Sequence, residues 1–133
     1  SGSTDLIKVG LVRKVIASGI SIGENGVAGK ARVIKNERDL SLINKGEIVV
    51  VEKDLLMKLP LSNKITGILT DQTEFECKKL FKNIEITIST ICNISSLQEN
   101  IMEGDLITLQ LNEGVVYKGQ LEDEDYIDKY KYV

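Results

Sequence analysis

Residues 47–51 read Glu-Ile-Val-Val-Val, a continuous β-branched run. Such side chains are stiff at χ1 and pack well on a pleated surface. Without polar alternation, the run marks a buried strand rather than one with a wet face. Its surroundings read as alternating short strands and short helices. Asn36 is placed to cap a helix over 37–43 with acids in its first turn, and Asn44-Lys45-Gly46 ends it. Residues 54–59 read as a helical turn or two, stopped by Pro60. Residues 65–70 form the next strand. Residues 74–82 fit a helix with Phe75, Leu80 and Phe81 inward and Lys78, Lys79 and Lys82 outward.

The flanks extend this pattern. Residues 5–12 are a short strand, 15–22 a second extended run, and 27–34 a third. Between the last two lies Gly23-Glu24-Asn25-Gly26, and Asn-Gly between apolar runs predicts a hairpin. The clustered Gly19, Gly23, Gly26 and Gly29 read as turn and bulge geometry. They do not read as a phosphate cradle, which needs glycines feeding a helix N-terminus. Residues 85–91 alternate as a strand, with Ile84, Ile86 and Ile88 on one side and Glu85, Thr87 and Ser89 on the other. Residues 95–102 are a short helix or turn. Residues 106–111 and 115–117 form a final hairpin across Asn112-Glu113-Gly114, and 120–133 is a charged tail with tyrosines. The sum is a mixed α/β domain.

A chain of 133 residues with 42% hydrophobic content suits one compact domain. The net charge is −3 with the signs well mixed, and no basic stripe is interleaved with aromatics, so nucleic acid is not an expected partner. No apolar run approaches roughly 18 residues, so no membrane span is expected. The first residues carry neither the basic nor the apolar region of a signal peptide. Cys77 and Cys92 read as two lone buried thiols of a cytosolic protein, since one possible pair is no disulfide framework. There is no histidine, and two cysteines alone cannot close a four-ligand zinc site. Asp123, Asp125 and Asp128 have a hint of calcium-loop spacing but lack the mid-loop glycine and the closing bidentate glutamate; they read as a solvated acidic tail.

The ordered set Ala17-Ser18-Gly19, Gly23, Gly29-Lys30-Ala31-Arg32-Val33-Ile34, Gly46 to Val51, Thr66-Gly67-Ile68-Leu69-Thr70 and the closing hairpin from Glu103 to Gly119 resembles the mobile domain of phosphoenolpyruvate-utilising enzymes. The resemblance covers residues 15–119. It implies a swivelling β/β/α domain: a small mixed sheet or open barrel with short flanking helices. Gly2-Ser3-Thr4-Asp5 before an apolar strand is similar to the last strand of a pyruvate kinase regulatory domain. Together these resemble the junction at which some bacterial pyruvate kinases run on into an extra domain. The implied division is 1–14 for that strand and a linker, 15–119 for the mobile-type domain, and 120–133 for the tail. Ser3 and Thr4 match the end of that family's effector loop.

In the phosphoryl-transferring members a Gly-Gly-x-Thr-Ser-His loop follows the strand ending in Thr. Here the run is Thr70-Asp71-Gln72-Thr73-Glu74-Phe75-Glu76-Cys77-Lys78. Counted without gaps, Lys78 falls at the histidine and Cys77 at the serine, while Thr73 and Glu74 replace the glycines. Histidine is required there because its imidazole is nucleophilic near neutral pH and leaves again readily. Glu74 and Glu76 would repel a phosphate. Cys77 has no histidine to activate it, though Lys78 and Lys79 are near in sequence, and Asp71 lacks the magnesium-binding carboxylates of a phosphoryl acceptor. The resemblance therefore implies a non-catalytic, cytoplasmic appendage with no cofactor. It would pack on the rest of a pyruvate kinase chain and on neighbouring subunits. The other reading is an independent module binding a small anion or a protein. In an isolated fragment the first strand, 5–11, with Leu6, Ile7 and Val9, would either pair with a second copy, making a homodimer, or leave the N-terminus disordered.

Overall fold

The computed structural model describes residues 6–8, 14–119 and 130–132. Four strands lie parallel in chain order: β4 (Val27–Ile34), β5 (Glu47–Val51), β6 (Ile65–Thr70) and β7 (Ser89–Cys92). Two further strands, β8 (Leu106–Gln110) and β9 (Val115–Lys118), form the expected closing hairpin. The long strand β4 serves two sheets. Its first half, Val27 to Lys30, pairs antiparallel with β8; its second half, Ala31 to Ile34, pairs parallel with β5. The extended run at 15–22 is likewise broken at Gly19 into β2 (Val15–Ser18) on β9 and β3 (Ile20–Ile22) on β7. The order is β2-β9-β8-β4-β5-β6-β7-β3, and one residue joins its two ends. The two ends of the sheet are thus halves of one extended run, which brings the sheet round into a barrel-like closure.

The predicted hairpin at Asn25-Gly26 does not form, because β3 pairs with β7 and β4 with β8 and β5, never with each other. The turn signal was real, since Gly23 has φ +104°, but long-range pairing decided the partners. Gly19 and Gly29 are not turn glycines. A Cβ on Gly19 would collide with the carbonyl of Cys92, and one on Gly29 with the carbonyl of Gly46. They are where two backbones cross at the corners of the barrel.

The closure makes three layers. Between the two halves of the sheet lie Ile16, Ala31, Val33, Ile48, Val50, Leu69, Ile91, Ile107, Leu109 and Val116. On the outer face of the parallel strands lie Ile34, Val49, Val51, Ile68 and Cys92, covered by Ile43, Leu56, Cys77 and Phe81. Along β5, Ile48 and Val50 face one layer and Val49 and Val51 the other, which is why the run needs no polar residue. The domain is thus a mixed-sheet α/β fold with few helices. Asn36 and Asp39 form a reciprocal capping box on a 3₁₀ helix, Glu37–Leu42; a second 3₁₀ helix spans Lys53–Lys58. The one α-helix among the described residues, α1 (Glu74–Phe81), starts at the N-cap Thr73. No helix among the described residues is long and apolar enough to cross a membrane.

Three further expectations differ from the structure. Helix α1 buries Cys77 and Phe81, whereas Phe75 is 70% exposed with Lys79 over its ring. The strand expected from residue 85 begins only at Ser89, leaving Ile84 and Ile86 exposed. The strand expected at 5–12 is β1 (Leu6–Lys8), and its partner is β10 (Tyr130–Tyr132), in a stretch read as tail. Ser3, Thr4, Val9 and Asp123 to Asp128 lie outside the described residues.

At the start of β5, Glu47 takes a forked pair of hydrogen bonds from Arg32, Nε to Oε1 at 3.0 Å and Nη2 to Oε2 at 2.9 Å. The backbone N–H of Asn44 adds a third at 2.6 Å, and Arg32 also meets Glu103 at 3.5 Å. Burial alone would raise the Glu47 pKa, but Arg32 and the Asn44 N–H together hold it below the ordinary value of 4.5. A depressed carboxylate contributes stability that is present above its unfolded pKa and lost as pH falls through its folded one. Glu47→Gln is therefore expected to lower stability at neutral pH by about 1.5 kcal/mol. It should also flatten the loss of stability below 4.5, measured by denaturant unfolding across that range. An unchanged acid limb would show that Glu47 is not the group responsible.

Candidate functional site

The loop from β6 to α1 sits at the carboxyl end of the parallel strands, where open α/β sheets bind ligands. Its backbone is fastened to both neighbouring strand ends. The Thr70 carbonyl accepts the Ile94 N–H at 3.1 Å and the Gln72 carbonyl accepts the Asn93 N–H at 2.7 Å. Asp71 Oδ1 accepts the Lys53 N–H at 3.0 Å and the Gln72 side-chain amide at 3.4 Å. The N-terminus of α1 is capped from within, since Thr73 Oγ1 accepts the Glu76 N–H at 3.2 Å. Glu74 and Glu76 add negative charge to the same turn, where the helix dipole would otherwise favour a bound anion.

The three positions singled out by the sequence diverge. Thr70 is fully buried, and its hydroxyl accepts the Gln72 N–H at 3.3 Å. Lys78 is exposed and paired with Glu74 at 3.2 Å. Cys77 points the other way, into the layer between helix and sheet beside Cys92, and neither thiol is in a disulfide. The Cys77 thiol is pushed up to about 12, first by burial, then by the neighbouring Cys92 thiol, then by Glu76 and Glu74. Cys92 is also raised, chiefly by burial. A thiolate, not a thiol, is the nucleophile, so neither sulfur is activated. At neutral pH, iodoacetamide should leave both cysteines unmodified in the folded protein and label both after unfolding. Rapid labelling of native Cys77 would reinstate it as a reactive group. Replacing each with serine should cost about 1–3 kcal/mol, because a hydroxyl would be buried in an apolar layer.

Beside the loop is a hollow lined by Glu52, Asp71, Ser96, Leu97, Gln98 and Glu99. Its wall carries three carboxylates and no lysine or arginine. Lys53, Asn93 and Ser96, around the same end of the sheet, have φ of 50°, 56° and 54°. Of these, only asparagine favours that region, so the sequence held no signal for the other two. Among the described residues, no group of three or more His, Cys, Asp or Glu side chains is placed to hold a metal ion. What the site presents is an acidic strand end whose helix N-terminus is capped from within and whose Cys77 is buried as the thiol.

No family model matches the chain. It is 27% identical over 121 residues to pyruvate kinase 2 of Synechocystis sp., covering 91% of this chain and 20% of that protein. It is 26% identical over 119 residues to the pyruvate kinase of Staphylococcus haemolyticus, 89% of this chain and 20% of the relative. A probable phosphoenolpyruvate synthase of Archaeoglobus fulgidus matches at 21% over 112 residues, 84% of this chain and 15% of that protein. Among solved structures, the microcin C7 self-immunity protein MccF in complex with aspartyl sulfamoyl adenosine reaches a TM-score of 0.49 at 12% identity, over 87% of this chain and 50% of that one. That likeness is too slight to bear on function. The chain spans about a fifth of the length of the pyruvate kinases it matches, and its relatives are consistent with a domain of phosphoenolpyruvate-utilising enzymes.

Proposed function

We propose that this chain is a non-catalytic domain of a pyruvate kinase, placed at its C-terminal end, which aids assembly, stability or allosteric response. The observation that carries the reading is the match to one fifth of pyruvate kinases by nine tenths of this chain. The loop geometry supports the non-catalytic part: Thr70 is buried, Lys78 is ion-paired, and Cys77 holds its proton. With no imidazole to accept a phosphoryl group, the chain does not become phosphorylated by phosphoenolpyruvate.

The test is made on the polypeptide that the gene encodes. Deleting residues from about Val15 onward should leave turnover largely intact. It should lower thermal stability, tetramer assembly or the effector response, because docking energy adds to the folded, assembled state. Steady-state kinetics and sedimentation read the two effects separately. Complete loss of turnover in a correctly assembled tetramer would refute the appendage role, and a gene that starts just before Ser1 would refute the parentage.

A further inference from the structure

The Asn25-Gly26 pair forms no hairpin turn, and that leaves it chemically open. In a two-residue hairpin, an Asn-Gly pair is clamped between two strands that pair with each other. Here the flanking strands β3 and β4 have different partners, so no ladder closes over residues 23–26. Asn25 and Gly26 are both exposed and outside any strand or helix. Asparagine is thermolabile, and a glycine after it has no Cβ to keep its amide nitrogen away from the asparagine side chain. The main-chain carbonyl of Asn25 is held by the Ser89 hydroxyl at 2.6 Å, while its side-chain amide has no hydrogen bond among those of the described residues.

We propose that Asn25 is a site of spontaneous deamidation and isoaspartate formation in the folded protein. The Gly26 backbone nitrogen gives up its proton to water or hydroxide and attacks Cγ of Asn25. The new N–Cγ bond closes a five-membered succinimide as ammonia leaves with the side-chain nitrogen. Water then opens the ring. Cleavage on the Cγ side gives aspartate; cleavage on the main-chain side gives isoaspartate, with the chain now running through Cβ and Cγ. In the isoaspartate form the carbonyl that accepts from Ser89 becomes a free carboxylate, and the connection between β3 and β4 gains a methylene. Both products add a negative charge beside Glu24. The consequence is placed where it matters, because this connection carries the chain from the closing strand β3 into the shared strand β4.

The full chain is incubated in mildly alkaline buffer at growth temperature, folded and in urea, and mapped by peptide mass and isoaspartyl methyltransferase labelling. Isoaspartate is expected at Asn25 in the folded sample, ahead of Asn112-Glu113 and the other asparagines. Asn25→Ser should abolish that signal while keeping the fold. Modification in urea but not in the folded sample would overturn the proposal, as would no modification in either.

Discussion

Gly19→Ala is expected to destabilise the domain by about 3 kcal/mol or more, lowering the melting temperature by roughly 10 °C. The added Cβ would sit on the Cys92 carbonyl, with side-chain atoms of Ile91 and Ile94 both 3.1 Å away. Neither strand can yield easily. Gly19 donates its N–H to the Gly114 carbonyl at 2.9 Å, and Ser21 donates its hydroxyl to the Leu111 carbonyl at 2.7 Å. Relief would require β3 to move off β7, which opens the barrel where its two ends meet. Gly104→Ala is the control. Gly104 has φ +84° but open space around its Cβ position, so its cost is conformational only, about 1 kcal/mol. Thermal denaturation of both variants separates the two mechanisms. If Gly19→Ala costs no more than Gly104→Ala, the corner does not depend on close backbone approach.

The second large effect lies on α1. Phe81→Ala should cost about 3 kcal/mol, because Phe81 is 9% exposed and fills the layer between helix and sheet with Ile88 and Leu56. Phe75→Ala, six positions earlier on the same helix, should change stability by no more than about 0.5 kcal/mol. Phe75 is 70% exposed, and its contact with Lys79, 4.8 Å from the ring centroid, is a surface cation–π pair of small worth. Denaturant unfolding of the two variants gives the comparison directly. Equal losses would mean the helix is rotated from the orientation described here, with Phe75 inward as a purely hydrophobic reading of the helix expects.

That pair of phenylalanines also shows where sequence reasoning stopped. The helix itself was legible from its apolar and lysine positions over 74–82, close to the observed Glu74–Phe81. Its rotation was not, because Phe75, Leu80 and Phe81 form no single apolar stripe on an eight-residue helix, and the face turned inward is the one that carries Cys77 and Phe81. The absence of an imidazole was legible as well, since it is a matter of composition and no packing can supply it. The closure of the loop was not: the bonds from Ile94, Asn93 and Lys53 come from strand ends and turns far along the chain.

From the residues alone came strands at 27–34, 47–51 and 65–70, a closing hairpin read as 106–111 and 115–117, a short helix at 37–43 with its Asn36 cap, a helical turn at 54–59 stopped by Pro60, and the α/β class. Each rests on local chemistry, a β-branched run or a capping side chain, that acts within a few residues. Tertiary structure alone decided which strands became neighbours. The Asn-Gly signal between β3 and β4 was overruled by long-range pairing, β3 on β7 and β4 on β8 and β5. The same holds for Gly19 and Gly29, whose spacing suggested turns but whose missing side chains let two backbones cross. Strand pairing is a long-range choice, set by the total area a closed barrel removes from water, and no window of sequence contains it.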